Sequence, residues 1–156
     1  MNYNSINISY AAYKEEFQPD VEEMIFTLYK EDPTGMPIDE NKIKATLCQC
    51  LKHSEKIRLI LIYLGDKLAG YAIIVFFWSN ECGGDILCID ELFIKEDFRN
   101  RGIGSRFISD LPKLFPEAAG LSLEVTPSNK RAGMLYERLG FRREENIRMF
   151  RSSITE

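Results

Sequence analysis

The sequence predicts an α/β domain built around an antiparallel meander of strands. Three apolar runs follow one another between short turns rich in glycine, and patterns with helical spacing lie before and after them. The chain has 156 residues, of which 45% are hydrophobic. A chain of this size can bury a core of its own, so we expect a single domain spanning residues 1–156.

The first third of the chain predicts one strand and two helices. The strand covers Ile6 to Ala11, and a helix runs from about Pro19 to Lys30. Asp39 can cap the second helix. The predicted buried face of that helix is Ile43, Leu47, Cys50 and Leu51. Between the helices, residues 31–37 contain two prolines and a glycine and therefore predict a loop.

The middle third of the sequence predicts two hairpins, which form the centre of the sheet. Ile57 to Leu64 and Leu68 to Trp78 are apolar runs on either side of Gly65-Asp66, a turn sequence that tolerates positive φ. A second turn over residues 79–85 leads into a strand that ends at Ile94. These runs predict adjacent antiparallel strands.

The last third predicts two helices and two strands. The first helix runs from Gly102 to about Leu111, and Pro112 ends or kinks it. A strand follows at Leu121–Val125. The second helix is capped by Ser128 or Asn129 and stops at Gly140, and a final strand runs from Arg142 to Arg151.

The junction after Ile94 carries the strongest functional signal. A strand-to-helix turn leaves the first amides of the helix unpaired, with the positive end of the helix dipole behind them. Gly102 and Gly104 let a ligand approach the backbone, and Arg99 and Arg101 add positive charge. The turn therefore predicts a pyrophosphate site, although an ordinary connection with solvated arginines could have the same sequence.

Two nucleotide-binding patterns do not fit this turn. A dinucleotide fingerprint needs a third glycine where Phe107 stands. A Walker loop needs Gly-Lys-Ser/Thr where Gly104 is followed by Ser105 and Arg106. A second signal is needed to identify the ligand.

That second signal lies downstream, in the predicted helix after Val125. Asn129 and Tyr136 are seven residues apart, so they share one helical face about 10 Å apart along the axis. Ala132 and the pair Gly140-Phe141 complete the pattern. Together with the arginine-glycine turn, it resembles the acetyl-coenzyme A site of the GNAT superfamily of N-acetyltransferases.

The resemblance implies a fold and a cofactor. The fold is a mixed, mostly antiparallel sheet of six to seven strands with about four helices, splayed between the strand ending near Ile94 and the strand Leu121–Val125. The co-substrate is acetyl-coenzyme A, with no metal, and a bulge within residues 92–94 supplies an N–H for the oxyanion. The implied cofactor-binding residues are Leu92, Phe93, Ile94, Arg99, Asn100, Arg101, Gly102, Ile103, Gly104, Ser105 and Asn129.

Acyl transfer to an amine requires a base and an acid. Tyr136 is the candidate acid for the departing thiolate. Asp90 and Glu91 are adjacent on a strand, so only one can face the amine. Asp90 shares the parity of Leu92 and Ile94 and is the first candidate, with Glu91 the second. The alternative for the pair is one surface carboxylate and one held by a neighbouring turn.

The expected acceptor is an amine. Acidic residues near the central strand and in the 31–37 loop suggest a negative cleft, and hence a small cationic molecule or an exposed peptide amine. The net charge of -4 argues against a nucleic-acid partner. No apolar run is long enough to cross a membrane and no signal peptide is recognisable, so we expect a cytoplasmic protein. Homodimers are common among similar proteins, which leaves the oligomeric state open.

A covalent acyl-enzyme is not expected. The four cysteines form no Cys-x-x-Cys pair, and Cys88 has no histidine partner, since the single histidine is His53. A different class of function stays open at this point, namely a non-catalytic acyl-coenzyme A-binding or sensing module that kept the cofactor site.

Overall fold

The computed structural model describes residues 7–33 and 35–153. Within them lie five strands and four α-helices. In chain order these are β1 (Ile8–Ala12), α1 (Gln18–Glu31), α2 (Glu40–Lys52), β2 (Ile57–Leu64), β3 (Lys67–Ser79), β4 (Gly84–Ile94), α3 (Ile103–Leu114), β5 (Gly120–Leu123) and α4 (Lys130–Arg138). The chain divides into two compact units, Met1–Glu124 and Val125–Glu156.

The first unit contains the sheet, in the order β1-β2-β3-β4-β5. The first four strands are antiparallel neighbours, and β5 runs parallel to β4. The α/β class and the central meander are therefore confirmed. The sheet of the described residues has five strands, fewer than the six to seven expected. Ile6, where the first strand was predicted to begin, lies outside the described residues.

Helices cover both faces of the sheet. The core on one face joins Val21 and Met24 of α1 and Ile43 of α2 to Tyr71 and Phe93 of the sheet. The alternate residues of the inner strands, including Ile60, Ile62 and Ile74, are also buried. On α3 the buried residues are Ile103, Phe107, Ile108 and Leu111. Packing on both faces fixes β4, the strand that positions the candidate site.

Local signals located most helix ends correctly. Asp39 caps α2, because its Oδ1 accepts a hydrogen bond of 2.9 Å from the Lys42 amide. Leu51 was predicted to be buried and is 49% exposed. It follows Cys50 directly, so it lies about 100° further round the helix, outside the apolar face.

Pro112 was predicted to end or kink α3, and it does not end the helix. The helix continues to Leu114, and the Phe115 amide closes it by donating to the Leu111 carbonyl at 2.9 Å. Proline removes one backbone hydrogen bond near the end of the helix. The burial of Leu111 before Pro112 and of Phe115 after it favours the helical path.

The final strand predicted over residues 142–151 is wrong, since this segment has no regular secondary structure. Its apolar side chains are exposed, with Ile147 at 87% and Met149 at 91%. A strand forms only where a neighbouring strand takes up its backbone hydrogen bonds. The strand predicted to end at Val125 also stops earlier, at Leu123. No helix in the described residues has the length and apolar character needed to span a membrane.

Candidate active site

The turn between β4 and α3 has the geometry of an anion site. Gly102 has φ +73° and no atom within 4 Å of where a Cβ would lie, so the backbone conformation, not space, requires glycine there. Arg106 donates its amide to the Gly102 carbonyl at 2.9 Å, which closes the first helical turn. The amides of residues 103–105 then have no acceptor within the helix. No side chain caps this end, and its first turn has no acidic residue. The predicted strand-turn-helix geometry is confirmed.

Gly104 brings this turn against the end of β4. A Cβ at Gly104 would lie 3.8 Å from Leu92 Cδ2 and 3.9 Å from Ile94 Cγ1. The start of α3 therefore packs directly on the last residues of the strand. A ligand with its phosphates at the helix start can extend along that strand end.

Arg99 makes contacts that the sequence did not predict. Its Nε donates to the Ile94 carbonyl at 2.8 Å, and its Nη2 lies 2.7 Å from Glu31 Oε2 at the end of α1. The guanidinium also lies 5.4 Å from the centre of the Phe93 ring. Arg99 thus ties the end of α1 to the end of β4, whereas it was expected beside the phosphates. Arg101, 5.8 Å from the Phe98 ring, is exposed.

Residues 91–94 at the end of β4 have one edge without a strand partner in the described residues. On one side β4 pairs with β3 as far as Ile94. On the other side its pairing with β5 stops at Ile89↔Leu123. Backbone amides and carbonyls on such an edge can pair with another chain or with the amide groups of a ligand. This is the splay that the sequence predicted after the central strand.

A β-bulge interrupts β4 at Asp90. Ile73 of β3 pairs with Glu91, whereas its neighbour Ile74 pairs with Ile89, so Asp90 is the extra residue. The bulge was predicted within residues 92–94 and lies two residues earlier. The expectation of unbroken alternation through Asp90 is wrong for the same reason. Glu91 shares a face with Phe93, as the alternation of residues 91–94 also predicts, whereas Asp90 leaves that alternation and is exposed at the bulge.

Two tyrosines hold the Glu91 carboxylate. Tyr29 of α1 donates its hydroxyl to Oε1 at 2.8 Å, and Tyr71 of β3 donates to Oε2 at 2.7 Å. Burial raises the pKa of Glu91 above its usual value, the two phenol hydrogen bonds lower it in part, and the nearby charge of Asp90 raises it. We refer to Tyr29, Tyr71 and Glu91 as the Glu91 cluster. Sequence reasoning missed both tyrosines, because nothing local to either one indicates a partner on β4.

A surface cavity of about 400 Å³ lies beside α1 and the loop that follows it. Tyr29 lines it, so one wall of the cavity is a direct hydrogen bond away from Glu91. Lys30 is the charged residue among its described lining residues. Glu31 and Asp32, which were expected to make this region negative, do not line it. We refer to this feature as the α1 cavity.

The second unit contains Asn129 and Tyr136 on α4. Asn129 caps the helix, since its Oδ1 accepts from the Ala132 amide at 3.1 Å, and Gly140 beyond the end has φ +94°. Both helix-end predictions are confirmed. Tyr136 is half-buried and meets the Phe141 ring edge-on at 6.0 Å. Burial raises the pKa of its phenol, so the group is fully protonated at neutral pH.

The described residues form an α/β fold in which the start of α3 packs on the end of β4, the strand that holds the half-buried carboxylate of Glu91. The Acetyltransferase (GNAT) family model matches residues 20–141. The chain belongs to this family of acetyltransferases.

The chain is similar to two curated relatives. It is 30% identical to a thialysine N-epsilon-acetyltransferase of Sus scrofa over 80 residues, 50% of this chain and 46% of the relative. It is 25% identical to an aminoglycoside N(6')-acetyltransferase type 1 of Klebsiella pneumoniae over 125 residues, 74% of this chain and 60% of the relative. The match thus spans about half to three fifths of the length of these relatives.

Solved structures show the same fold. A possible acetyltransferase from Clostridium difficile 630 superposes with a TM-score of 0.80 at 18% identity, over 96% of this chain and 99% of that one. AAC(6')-Iy, solved with a bisubstrate analogue of coenzyme A, superposes with a TM-score of 0.71 at 16% identity, over 95% and 99% of the two chains.

Proposed function

We propose that the protein is an acetyl-coenzyme A-dependent N-acetyltransferase that transfers the acetyl group directly to a primary amine. The observation that carries this proposal is the packing of the anion site at the start of α3 against the end of β4, the strand that holds Glu91. The names of the relatives, a thialysine and an aminoglycoside acetyltransferase, support an amine acceptor. The family match runs from residue 20 to residue 141 across the boundary between the two units, which supports one domain over 1–156.

The cofactor is proposed to follow the α3 start and the free edge of β4. Its pyrophosphate would accept hydrogen bonds from the amides of Ile103, Gly104 and Ser105, with Asn100 and Arg101 beside them. Its pantetheine amides would pair with the main chain of residues 92–94, and Asn129 would contribute from α4. Arg99 acts in this proposal as a positioning residue, because its guanidinium already binds Glu31 and the Ile94 carbonyl.

Glu91 is proposed as the base that prepares the amine. A free primary amine with a pKa near 10 is protonated at neutral pH, so it must lose a proton before it attacks. A carboxylate whose pKa is raised by burial is a stronger base than an exposed one. Asp90, exposed at the bulge, would attract the incoming ammonium and is the second candidate.

The proposed reaction breaks one bond and forms another without a covalent acyl-enzyme. The amine nitrogen attacks the thioester carbonyl carbon, a C–N bond forms, and the C–S bond breaks. A backbone N–H at the β4 bulge would stabilise the oxyanion. The first proton of the ammonium passes to Glu91, directly or through water, before the attack, and the second leaves the nitrogen to water after the C–N bond forms. Tyr136 gives its proton to the departing thiolate and takes one back from solvent.

The acceptor is proposed to bind as a cation and to react after losing a proton, and it is either a small molecule or an exposed peptide amine. The proposal includes acetyl-coenzyme A as co-substrate, no metal, and the cytoplasmic location expected from the sequence. Nucleic acid and membrane have no role in it, and a homodimer is compatible with it.

Thiol release from acetyl-coenzyme A in the presence of a panel of primary amines tests the proposed function. We expect amine-dependent release with intersecting initial-velocity lines, as a ternary complex requires. Parallel lines would indicate a covalent acyl-enzyme and contradict direct transfer. A coenzyme A-dependent rise in melting temperature with no turnover of any amine would favour a sensing module instead.

A further inference from the structure

The wall of the α1 cavity is mostly apolar. Its apolar lining residues are Phe26, Pro33, Met36, Pro37 and Ile38. Phe26 and Met36 are large apolar side chains that are 42% and 56% exposed. Covering such surface with an apolar part of a ligand is favourable, because it removes that surface from water. A short hydrocarbon stem fits this wall better than a ring bearing many hydroxyl groups.

The charge of the α1 cavity is positive. Lys30 lines it and forms no ion pair within the described part of the chain. The neighbouring Glu31 does not neutralise Lys30, because Glu31 is paired with Arg99. Its Oε2 lies 2.7 Å from Arg99 Nη2. A second cationic group on the acceptor would be repelled here, whereas a carboxylate would be attracted.

Lys30 and Tyr29 are adjacent on α1 and both line the cavity. Tyr29 leads to the proposed base, because its hydroxyl donates to Glu91 Oε1 at 2.8 Å. Glu91 itself does not line the cavity, so the amine of an acceptor held here would meet the Glu91 cluster at Tyr29 while another part of the acceptor meets Lys30.

We infer that the acceptor is a primary amine joined by a short apolar stem to a carboxylate, an ω-amino acid, with the stem on the apolar wall and the carboxylate on Lys30. This inference rests on the proposed function and refines it. The amine end is still cationic, as the sequence suggested, but the molecule as a whole is zwitterionic and not a polycation.

Three amines built on the same six-carbon chain test this inference directly. They are 6-aminohexanoate, hexylamine and 1,6-diaminohexane, whose far ends are anionic, neutral and cationic. We expect kcat/KM to fall in that order, with about fivefold between successive members, as for an ion pair at a partly exposed site. A diamine that is acetylated as well as or better than 6-aminohexanoate overturns the inference and leaves the proposed function intact. Failure of these and all other amines overturns both.

Charge reversal at Lys30 supplies the matched variant. Lys30→Glu should reverse the order of the three amines, so that 1,6-diaminohexane becomes the best acceptor. Lys52→Glu is the control, because Lys52 occupies the last turn of α2 as Lys30 occupies that of α1, and it changes the net charge equally. The control should keep the original order. The same change of order in both variants would mean that overall charge, not the α1 cavity, sets the preference.

Stem length tests the apolar wall separately. Replacing 6-aminohexanoate by 4-aminobutanoate removes two methylene groups that would lie on Phe26 and Met36. We expect kcat/KM to fall on the order of tenfold. An equal or higher value for the shorter acceptor contradicts the placement of the stem on that wall.

Discussion

The proposed phosphate-binding turn is one contiguous stretch of backbone, whereas the Glu91 cluster joins side chains from α1, β3 and β4. The turn depends on the left-handed conformation of Gly102 and on amides that follow it directly. The cluster depends on hydrogen bonds between residues 62 and 20 positions apart in the chain. One site is made by local conformation and the other by tertiary packing.

The two regions have different proposed roles, cofactor binding at the turn and acceptor recognition at the Glu91 cluster. The pyrophosphate of acetyl-coenzyme A is the same in every reaction of this co-substrate. Backbone amides are therefore sufficient to bind it, and any sequence that forms the right turn can provide them. The acceptor side must recognise a particular amine and adjust the protonation of a carboxylate. Side chains from separate elements can be changed there without altering the cofactor turn. The predictions below change one region at a time.

The largest effect is expected at the turn. Gly102→Glu places an anion where the pyrophosphate would bind, so coenzyme A should no longer raise the melting temperature. Gly65→Glu is the control, because Gly65 also has positive φ, at +62°, and open space around its Cβ position. Both variants should lose about 1 to 2 kcal/mol of folding free energy from backbone strain. A coenzyme A response that survives in Gly102→Glu, measured by thermal shift, would refute the phosphate assignment.

Tyr136→Phe should lower kcat about 10²-fold, because it removes the proposed acid while keeping the ring against Phe141. The affinity for coenzyme A should change little. Steady-state kinetics with a pre-steady-state check that chemistry limits turnover provides the measurement. Unchanged turnover under that condition would assign Tyr136 to packing alone.

Tyr29→Phe should change the pH dependence of the reaction. The Tyr29 hydrogen bond lowers the pKa of Glu91, so its removal raises that pKa further. The acid limb of the kcat/KM profile should move to higher pH, with several-fold lower activity on that limb and little change at high pH. Tyr13→Phe is the control, because the buried Tyr13 hydroxyl has no hydrogen-bond partner in the described residues. Its profile should match the wild type. If the acid limb of Tyr29→Phe lies at the same pH as that of the wild type, the Glu91 cluster does not take part in catalysis.

The sequence predicted the parts of the molecule that have local causes. The hairpin at Gly65, the Asp39 and Asn129 caps and the turn at Gly102 each follow from the conformational preferences of a few neighbouring residues. For the same reason most of the proposed cofactor site could be predicted, and the fold class with it.

The acceptor side could not be predicted in the same way. The bulge at Asp90 has no distinctive residue, yet it takes Asp90 out of the regular alternation that would have placed it with Leu92 and Ile94. The contact between Arg99 and Glu31 joins residues 68 positions apart. The segment 142–151 shows the opposite error. A strand was predicted there from the sequence, but no neighbouring strand in the described residues pairs with it. All three depend on which segments meet in the folded chain.

The ratio of two losses of kcat/KM, for Glu91→Gln and Asp90→Asn, tests most directly whether the Glu91 cluster provides the base. Both changes are nearly isosteric and both should leave the coenzyme A-dependent thermal shift intact. We predict a loss of about 10²-fold or more for Glu91→Gln and of less than about tenfold for Asp90→Asn. An equal loss in the two variants, or a larger loss for Asp90→Asn, would contradict the account.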